Sequence, residues 1–371
     1  MRILKLLILL FLFPGIAHAQ WSMVVIPDTQ NYMSSWPNNW PWFESQTDWI
    51  RDQDVEFMLG TGDITYNNST WQWAAIQPQL DSMNTPYILP TGNHDYSPIG
   101  HHTRHEWKPN TPYNDYFNET FPGLTPWQEG DWVNSYVRYA APDGRRLLLL
   151  NLEDYPRPEA LDWATTILDQ YPYDTGIVAT HMNIEEGAAD PVTGEATYAR
   201  DEFSEPLWQW LRTTSNVDMV FNGHEYDGDD TDIDESLFFA ANWASVADDG
   251  HIIHEIGFNT QRVFGGGGSW LRYYTFDGES VHAQTYSPHL DEWKTDHRND
   301  FLIHLPPIVD FSLEEWNSNY GNGLDGFDFL NWQRQLPTSL LAVPEPLTVP
   351  EPSALMLLLL GFSGWVCPLR K

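Results

Sequence analysis

The sequence predicts an α/β fold. Two observations carry this reading. Between residues 20 and about 304, short apolar runs alternate with amphipathic stretches of helical period. Directly behind five of those runs stand Asp, Asn and His residues, often beside glycine. With 42% hydrophobic and 15% aromatic residues, the 371-residue chain can bury a sizeable core.

The first apolar run, 23–26, leads to Asp28-Thr29-Gln30. Trp42, Gln46, Trp49 and Ile50 then recur at helical spacing. The run 55–59 ends in Gly62-Asp63-Ile64-Thr65-Tyr66, and a second helical pattern follows in Trp73, Ile76, Leu80 and Met83. Behind the run 87–89 comes Gly92-Asn93-His94-Asp95. A fourth run, 147–150, precedes a helix over 158–170 that opens on a favourable early proline. The run 177–179 leads to His181, and 219–221 to Gly223-His224-Glu225-Tyr226. Gly265 to Gly268 form a tight turn before a strand over 270–276; no Gly-Lys-Ser/Thr follows, so this is not a P-loop.

Neighbouring strands of one sheet bring the residues beyond their ends to a common edge. Asp, Asn and His gathered there offer mixed oxygen and nitrogen donors, a set suited to Zn, Mn or Fe. The glycines let the backbone turn sharply and approach an ion. The net charge of −34 argues against binding nucleic-acid backbones, and it also repels a phosphate unless bound cations invert the local sign. His101, His102, Arg104 and His105 supply rare positive potential; they either line the substrate mouth and grip phosphate or form a polar loop. His251, His254, His282, His289 and His304 lack such company and read as packed or surface residues. The segment 96–136, rich in Pro, Asn and aromatics, reads as a pocket wall. Many of the 19 tryptophans fall at helical spacing, which favours core packing over a sugar-binding platform.

The order DTQ, GDITY, GNHD, H and GHEY resembles the calcineurin-like metallophosphoesterase superfamily, whose motifs run DxH, GDxx, GNH(D/E), H and GHxH. The likeness spans about 21–286 and is nearest a bacterial subgroup with a DTQ first motif. Leu152-Glu153, Asp162-Trp163-Ala164, the run Gly265 to Arg272 and Thr285-Tyr286-Ser287-Pro288 fit it too. The resemblance implies a four-layer α/β/β/α sandwich with a small C-terminal appendage. It implies two divalent or mixed-valence ions (Mn, Zn or Fe), with Asp63 bridging them. Asp28 would bind the first ion; Asn93, His181 and His224 would bind the second. His94, its ring fixed by Asp95, would stand over the leaving oxygen. The implied reaction is hydrolysis of a phosphate mono- or diester by a water held between the ions. Gln30 and Tyr226 stand where the superfamily has histidines at the first ion, and Gln30 retains a carbonyl oxygen to offer. Tyr66 occupies the tyrosine position of the GDxxY motif of purple acid phosphatases, which makes it either an iron ligand or a packing residue. The competing expectation is a non-catalytic surface or matrix protein, carbohydrate-binding among its forms, on a degenerate version of the same fold.

Both ends read as processing signals. Residues 1–19 carry Arg2 and Lys5, an apolar run over 6–13 and Ala17-His18-Ala19, the pattern of a signal peptide. Residues 342–371 resemble a PEP-CTERM sorting tail: Val349-Pro350-Glu351-Pro352, an apolar run over 354–366, then Arg370 and Lys371. That resemblance implies an exosortase-type partner, transient membrane association, and a final place in the periplasm, on the cell surface or outside the cell. Between the domain 20–305 and the tail, 306–341 reads as a linker with a weak dockerin-like segment. There Asn317, Asn319, Asp325 and Asp328 either wrap calcium or cap a short helix over 327–335. The single cysteine, Cys367, allows no disulfide within the chain.

Overall fold

The computed structural model describes residues 19–34, 36–96, 111–188, 197–225 and 238–308. The chain divides into two compact units, 1–332 and 333–371, and all described residues belong to the first. The signal-peptide pattern, the dockerin-like segment and the sorting tail lie outside the described residues, apart from Ala19 and the first residues of the linker. No helix among the described residues is long and apolar enough to cross a membrane.

The strands in chain order are β1 (Trp21–Ile26), β2 (Phe57–Gly60), β3 (Tyr87–Ile88), β4 (Thr125–Gln128), β5 (Asp131–Ala140), β6 (Arg146–Asn151), β7 (Thr175–Ala179), β8 (Glu185–Gly187) and β9 (Thr197–Ala199). They continue with β10 (Val217–Asn222), β11 (Phe239–Ala240), β12 (Trp243–Val246), β13 (Ile252–Asn259), β14 (Leu271–Asp277), β15 (Ser280–Ser287), β16 (Glu292–Lys294) and β17 (Asp300–His304). The helices are α1 (Gln30–Ser34), α2 (Trp40–Asp52), α3 (Thr70–Asp81), α4 (Tyr113–Tyr116), α5 (Pro158–Gln170), α6 (Glu205–Leu211) and α7 (Phe264–Gly267).

Two large sheets result. The first runs β16-β15-β14-β1-β2-β3, with β17 also paired to β15; β1, β2 and β3 are parallel and the rest antiparallel. The second runs β11-β13-β10-β7-β6-β5-β4, with β12 on β13 and a parallel centre of β13, β10, β7 and β6. Every residue of β1, β2, β6, β7 and β10 is buried, as expected of parallel strands covered on both faces.

Side-chain alternation sorts each central strand between two layers. Met23, Val25 and Leu59 of the first sheet meet Leu147, Leu149, Ile177 and Phe221 of the second. Their neighbours Val24, Ile26 and Met58 face the other way, onto Phe43 and Ile50 of α2 and Trp73 and Ile76 of α3. Leu148, Leu150, Val178 and Val220 pack on Leu161 and Ala164 of α5 and Leu207 of α6. Helix, sheet, sheet, helix is therefore the order of layers, the four-layer sandwich expected from the sequence.

The helices form where the periodicity places them. Pro41 and Pro158 stand in the first turns of α2 and α5, where a missing N–H costs nothing. In α5, Ala160, Leu161, Ala164, Ile167 and Leu168 make one buried stripe. Of the segment 96–136, residues 97–110 lie outside the described residues; the described part supplies core and sheet edge, with Tyr113, Phe117, Phe121 and Val133 buried and β4 and β5 extending the second sheet. Large aromatic side chains recover more by burial against α3 than by standing in water.

Candidate active site

The polar residues behind the parallel strands converge. Asp28 follows β1, Asp63 follows β2, His181 follows β7 and His224 follows β10. Asn93, His94 and Asp95 form a single 3-10 turn after β3. Asp63, His181 and His224 each bring a donor atom within 4.8 Å of the others, the one such His/Cys/Asp/Glu cluster found among the described residues. Asn93 completes it: its Oδ1 lies 3.1 Å from His181 Nε2 and 3.0 Å from His224 Nδ1. His181 Nε2 is also 3.0 Å from His224 Nδ1 and 3.3 Å from Asp63 Oδ2.

The backbone holds this arrangement by close approach. A Cβ on Gly92 would stand 2.2 Å from Asp63 Oδ1, one on Gly62 2.5 Å from His181 Nδ1, and one on Gly223 2.0 Å from Asp28 Oδ1. Asp63 (φ 45°) and His224 (φ 65°) both adopt the left-handed conformation, a strain of about 1–3 kcal/mol each that the surrounding packing must sustain.

Hydrogen bonds set the donor faces. His181 Nδ1 donates to the Thr61 carbonyl at 2.8 Å, which fixes the tautomer and leaves the Nε2 lone pair to the cluster. Asp28 accepts from the Thr61 hydroxyl (3.0 Å), the His224 N–H (3.1 Å) and Asn259 Nδ2 (2.7 Å). Asp63 Oδ1 accepts the His94 N–H at 2.9 Å. Gln30 Nε2 donates to Asp63 Oδ2 at 2.9 Å and to Gln261 Oε1.

The charges are tightly interlocked. Burial alone would raise the Asp63 carboxyl, but His181, His94 and His224 hold it below the usual carboxylate range. Burial works against a charged His181, yet Asp63 and Asp28 carry its pKa well above the ordinary imidazole value. Asp28 is pushed up, first by burial and then by the Asp63 charge, against the pull of His181. A largely buried group of carboxylates and imidazoles answers to a cation at its centre. The residues fit metal ions: oxygen and nitrogen donors of the right type, a fixed His181 tautomer, and the buried Gln30 Oε1, which has no hydrogen-bond partner.

Two sequence expectations change. Asp95 does not fix the His94 ring. Its carboxylate accepts from the Ile64, Thr65 and Gly92 N–H groups and the Thr65 hydroxyl, at 2.8–3.0 Å, and so ties the GDIT and GNHD turns together. His94 Nδ1 instead donates to the Tyr66 carbonyl at 2.6 Å. The Tyr66 ring stands 42% exposed, its centroid 5.7 Å from that of His94, so Tyr66 meets the site through its carbonyl and its ring face. Tyr226, His102, Arg104 and His105 lie outside the described residues. Gln30, by contrast, is brought to Asp63 as expected. Asn259 and Gln261 join the site unforeseen, although Asn259-Thr260-Gln261 closes β13 just as the other motifs close their strands. Gly265 to Gly268 turn ahead of β14 and press on α1 and α2: Cβ atoms at Gly265 and Gly266 would strike Trp42 and the Asn31 carbonyl.

A two-sheet sandwich that gathers Asp, Asn and His donors behind its parallel strands defines a metal-binding phosphoric ester hydrolase. The calcineurin-like phosphoesterase family model matches residues 22–228, more than half the chain, and the chain belongs to that family. Among solved structures, a dimetal phosphatase from Danio rerio is similar at 11% identity, covering 77% of this chain and 99% of its own, with a TM-score of 0.50. GAP50 of Plasmodium, described as the anchor in the inner membrane complex, is similar at 11% identity over 90% of this chain and 99% of its own (TM-score 0.46). A purple acid phosphatase from yellow lupin seeds is similar at 13% identity over 85% of this chain and 56% of its own (TM-score 0.44). No curated protein matches the sequence. At these identities the structural likeness concerns the fold.

Proposed function

We propose that this chain is an exported, two-ion hydrolase of phosphate mono- or diesters. The observation that carries the reading is the convergence of Asp63, Asn93, His181 and His224 with His94 bonded to Asp63. Asp63 would be shared between the ions, Asp28 and Gln30 would serve the first, and Asn93, His181 and His224 the second. When bound, such ions supply Lewis-acid polarisation of the phosphoryl oxygens and a water acidic enough to react near neutral pH. The similar Danio rerio protein, itself named a dimetal phosphatase, supports the ion count.

The chain's own residues do the remaining work. His181 presents Nε2 because Nδ1 is spent on Thr61. His94, with Nδ1 held by Tyr66, keeps Nε2 for the ester and can hold a proton at its leaving oxygen.

Export follows from the basic and apolar start of the chain, and sorting by an exosortase-type enzyme from its Pro-Glu-Pro tail; both would leave the protein periplasmic, on the surface or extracellular. Mn, Zn and Fe each suit part of this mixed oxygen and nitrogen donor set. The test is metal-dependent hydrolysis of a monoester, a diester, a cyclic nucleotide and a phospholipid head-group ester, with elemental analysis of the same sample. Turnover that needs metal and disappears in Asp63→Ala supports the reading. Metal-free protein after reconstitution, with affinity for polysaccharide, would instead favour the non-catalytic matrix protein.

A further inference from the structure

The first-ion side departs from its family at two positions, Gln30 and Tyr226, and the residues around Gln30 point to a substitute. We propose that Gln261 is a protein ligand of the first ion, binding through Oε1 beside Asp28, Gln30 and Asp63. The inference rests on the two-ion reading above and adds a residue that no motif of the superfamily contains.

Gln261 is 5% exposed and sits in the turn two residues beyond β13, held on both sides of its backbone. Its N–H donates to Asn259 Oδ1 at 2.9 Å, and its carbonyl accepts from Asn31 Nδ2 at 2.7 Å. Asn259 in turn donates to Asp28, so the anchor of Gln261 is tied directly to a ligand of the same ion. From this fixed point the side chain reaches Gln30. The Gln30 Nε2 lies between Gln261 Oε1 and Asp63 Oδ2, while its own Oε1, buried, meets nothing.

The two ends of a carboxamide are nearly isosteric. Turning the Gln30 amide over would put Oε1 where Nε2 now stands, facing Asp63 Oδ2 and Gln261 Oε1 together. Three oxygens on one point repel each other in water-free surroundings, unless a cation takes the place of the donated hydrogens. The second-ion side shows the same kind of clustering, with donor atoms 3.0–3.3 Å apart among Asn93, His181, His224 and Asp63.

The donor chemistry of the two sides then differs. Asp28, Gln30, Asp63 and Gln261 give the first ion oxygen alone, whereas His181 and His224 give the second ion nitrogen as well. Oxygen donors suit Mn or Mg, and imidazole suits Zn or Fe, so the pair is expected to be unlike.

The experiment uses the full chain, stripped of metal and reloaded with Mn²⁺ and Zn²⁺, as wild type, Gln261→Leu and Gln261→His. Bound metal is read by elemental analysis, and Mn²⁺ also by electron paramagnetic resonance and by its effect on thermal unfolding. Wild type should hold about two ions, one of each kind. Gln261→Leu should keep the Zn²⁺ and lose Mn²⁺ affinity by at least about tenfold. Gln261→His should admit Zn²⁺ to both sides. Should Gln261→Leu fail to fold, Gln261→Glu retains the oxygen and adds charge, and is expected to tighten Mn²⁺ binding. Unchanged Mn²⁺ affinity in Gln261→Leu, or in Gln261→Glu where that variant is the one read, overturns the role of Gln261 and leaves the two-ion reading intact. Wild type that takes up no metal overturns both.

Discussion

His94 Nδ1 donates to the Tyr66 main-chain carbonyl at 2.6 Å, and this bond leaves Nε2 as the ring atom available to a substrate. A group poised to give a proton matters most when the leaving oxygen is a poor one. His94→Ala is therefore expected to lose about 10²–10⁴ in kcat on an alkyl phosphate and far less on a nitrophenyl phosphate, with metal content unchanged. Steady-state turnover on the two esters checks this. Equal losses on both would remove proton donation from the role of His94.

Gly92 is required for steric room and not for its backbone angle. Its φ is −108°, which any residue adopts, but a Cβ there would lie 2.2 Å from Asp63 Oδ1 and 2.4 Å from Asp63 N. The second of these contacts is with backbone, which cannot swing aside. Gly92→Ala should displace Asp63, lower bound metal in elemental analysis and cut turnover together. A variant with full metal content would show that the two turns can separate.

Asp95 acts on stability through the turns it joins. Its carboxylate accepts three backbone N–H groups and one hydroxyl. In Asp95→Asn an NH₂ must face one of those donors, which leaves at least one buried N–H unpaired. The expected cost is about 1–3 kcal/mol, read by urea unfolding of the metal-free protein. Because the bonded turns carry Asp63 and Asn93, metal affinity should weaken in the same variant. Loss of activity with unchanged stability would restore a direct role in the chemistry.

These variants also show what the sequence disclosed and what it hid. The central parallel strands are buried on both faces and so appear as unbroken apolar runs, with the ligands immediately behind them. Asp28, Asp63, Asn93, His181 and His224 were legible for that reason. Gln261 was not, because β13 carries His254 and Glu255 in its middle and its apolar run is broken. Burial of Glu255 is satisfied by Arg200, Ser245 and Asn183, partners distant in sequence that no local pattern reveals. Asp95 was misread for a related reason. Adjacency to His94 in sequence says nothing about direction within a 3-10 turn, where consecutive side chains diverge by about a third of a revolution. Likewise Tyr113 and Phe117 look like loop aromatics until α3 is in place to cover them, and Phe121 until Phe57 and Tyr139 enclose it between the sheets.

The last prediction concerns a carboxyl at the start of β10, the strand whose far end leads to His224. Asp218 lies in β10, 5% exposed, and burial pushes its pKa up to about 7, with His251 and Arg145 pulling the other way. Arg145 does not fully compensate it, since that guanidinium donates to Thr175 and to the Pro306 and Gly278 carbonyls. A carboxyl whose pKa is higher in the folded state than in the unfolded chain destabilises the fold once it ionises. The cost is absent below the unfolded value of about 3.9, grows as pH rises, and is complete above about 7. Asp218→Asn removes the ionisation. It should equal wild type within about 1 kcal/mol near pH 4 and exceed it by up to about 4 kcal/mol near pH 8. Urea unfolding of the metal-free pair across that range measures the difference, in which shared titrations at the ligand cluster cancel. A stability gap that stays flat with pH would mean that Asp218 is already ionised in the fold at low pH.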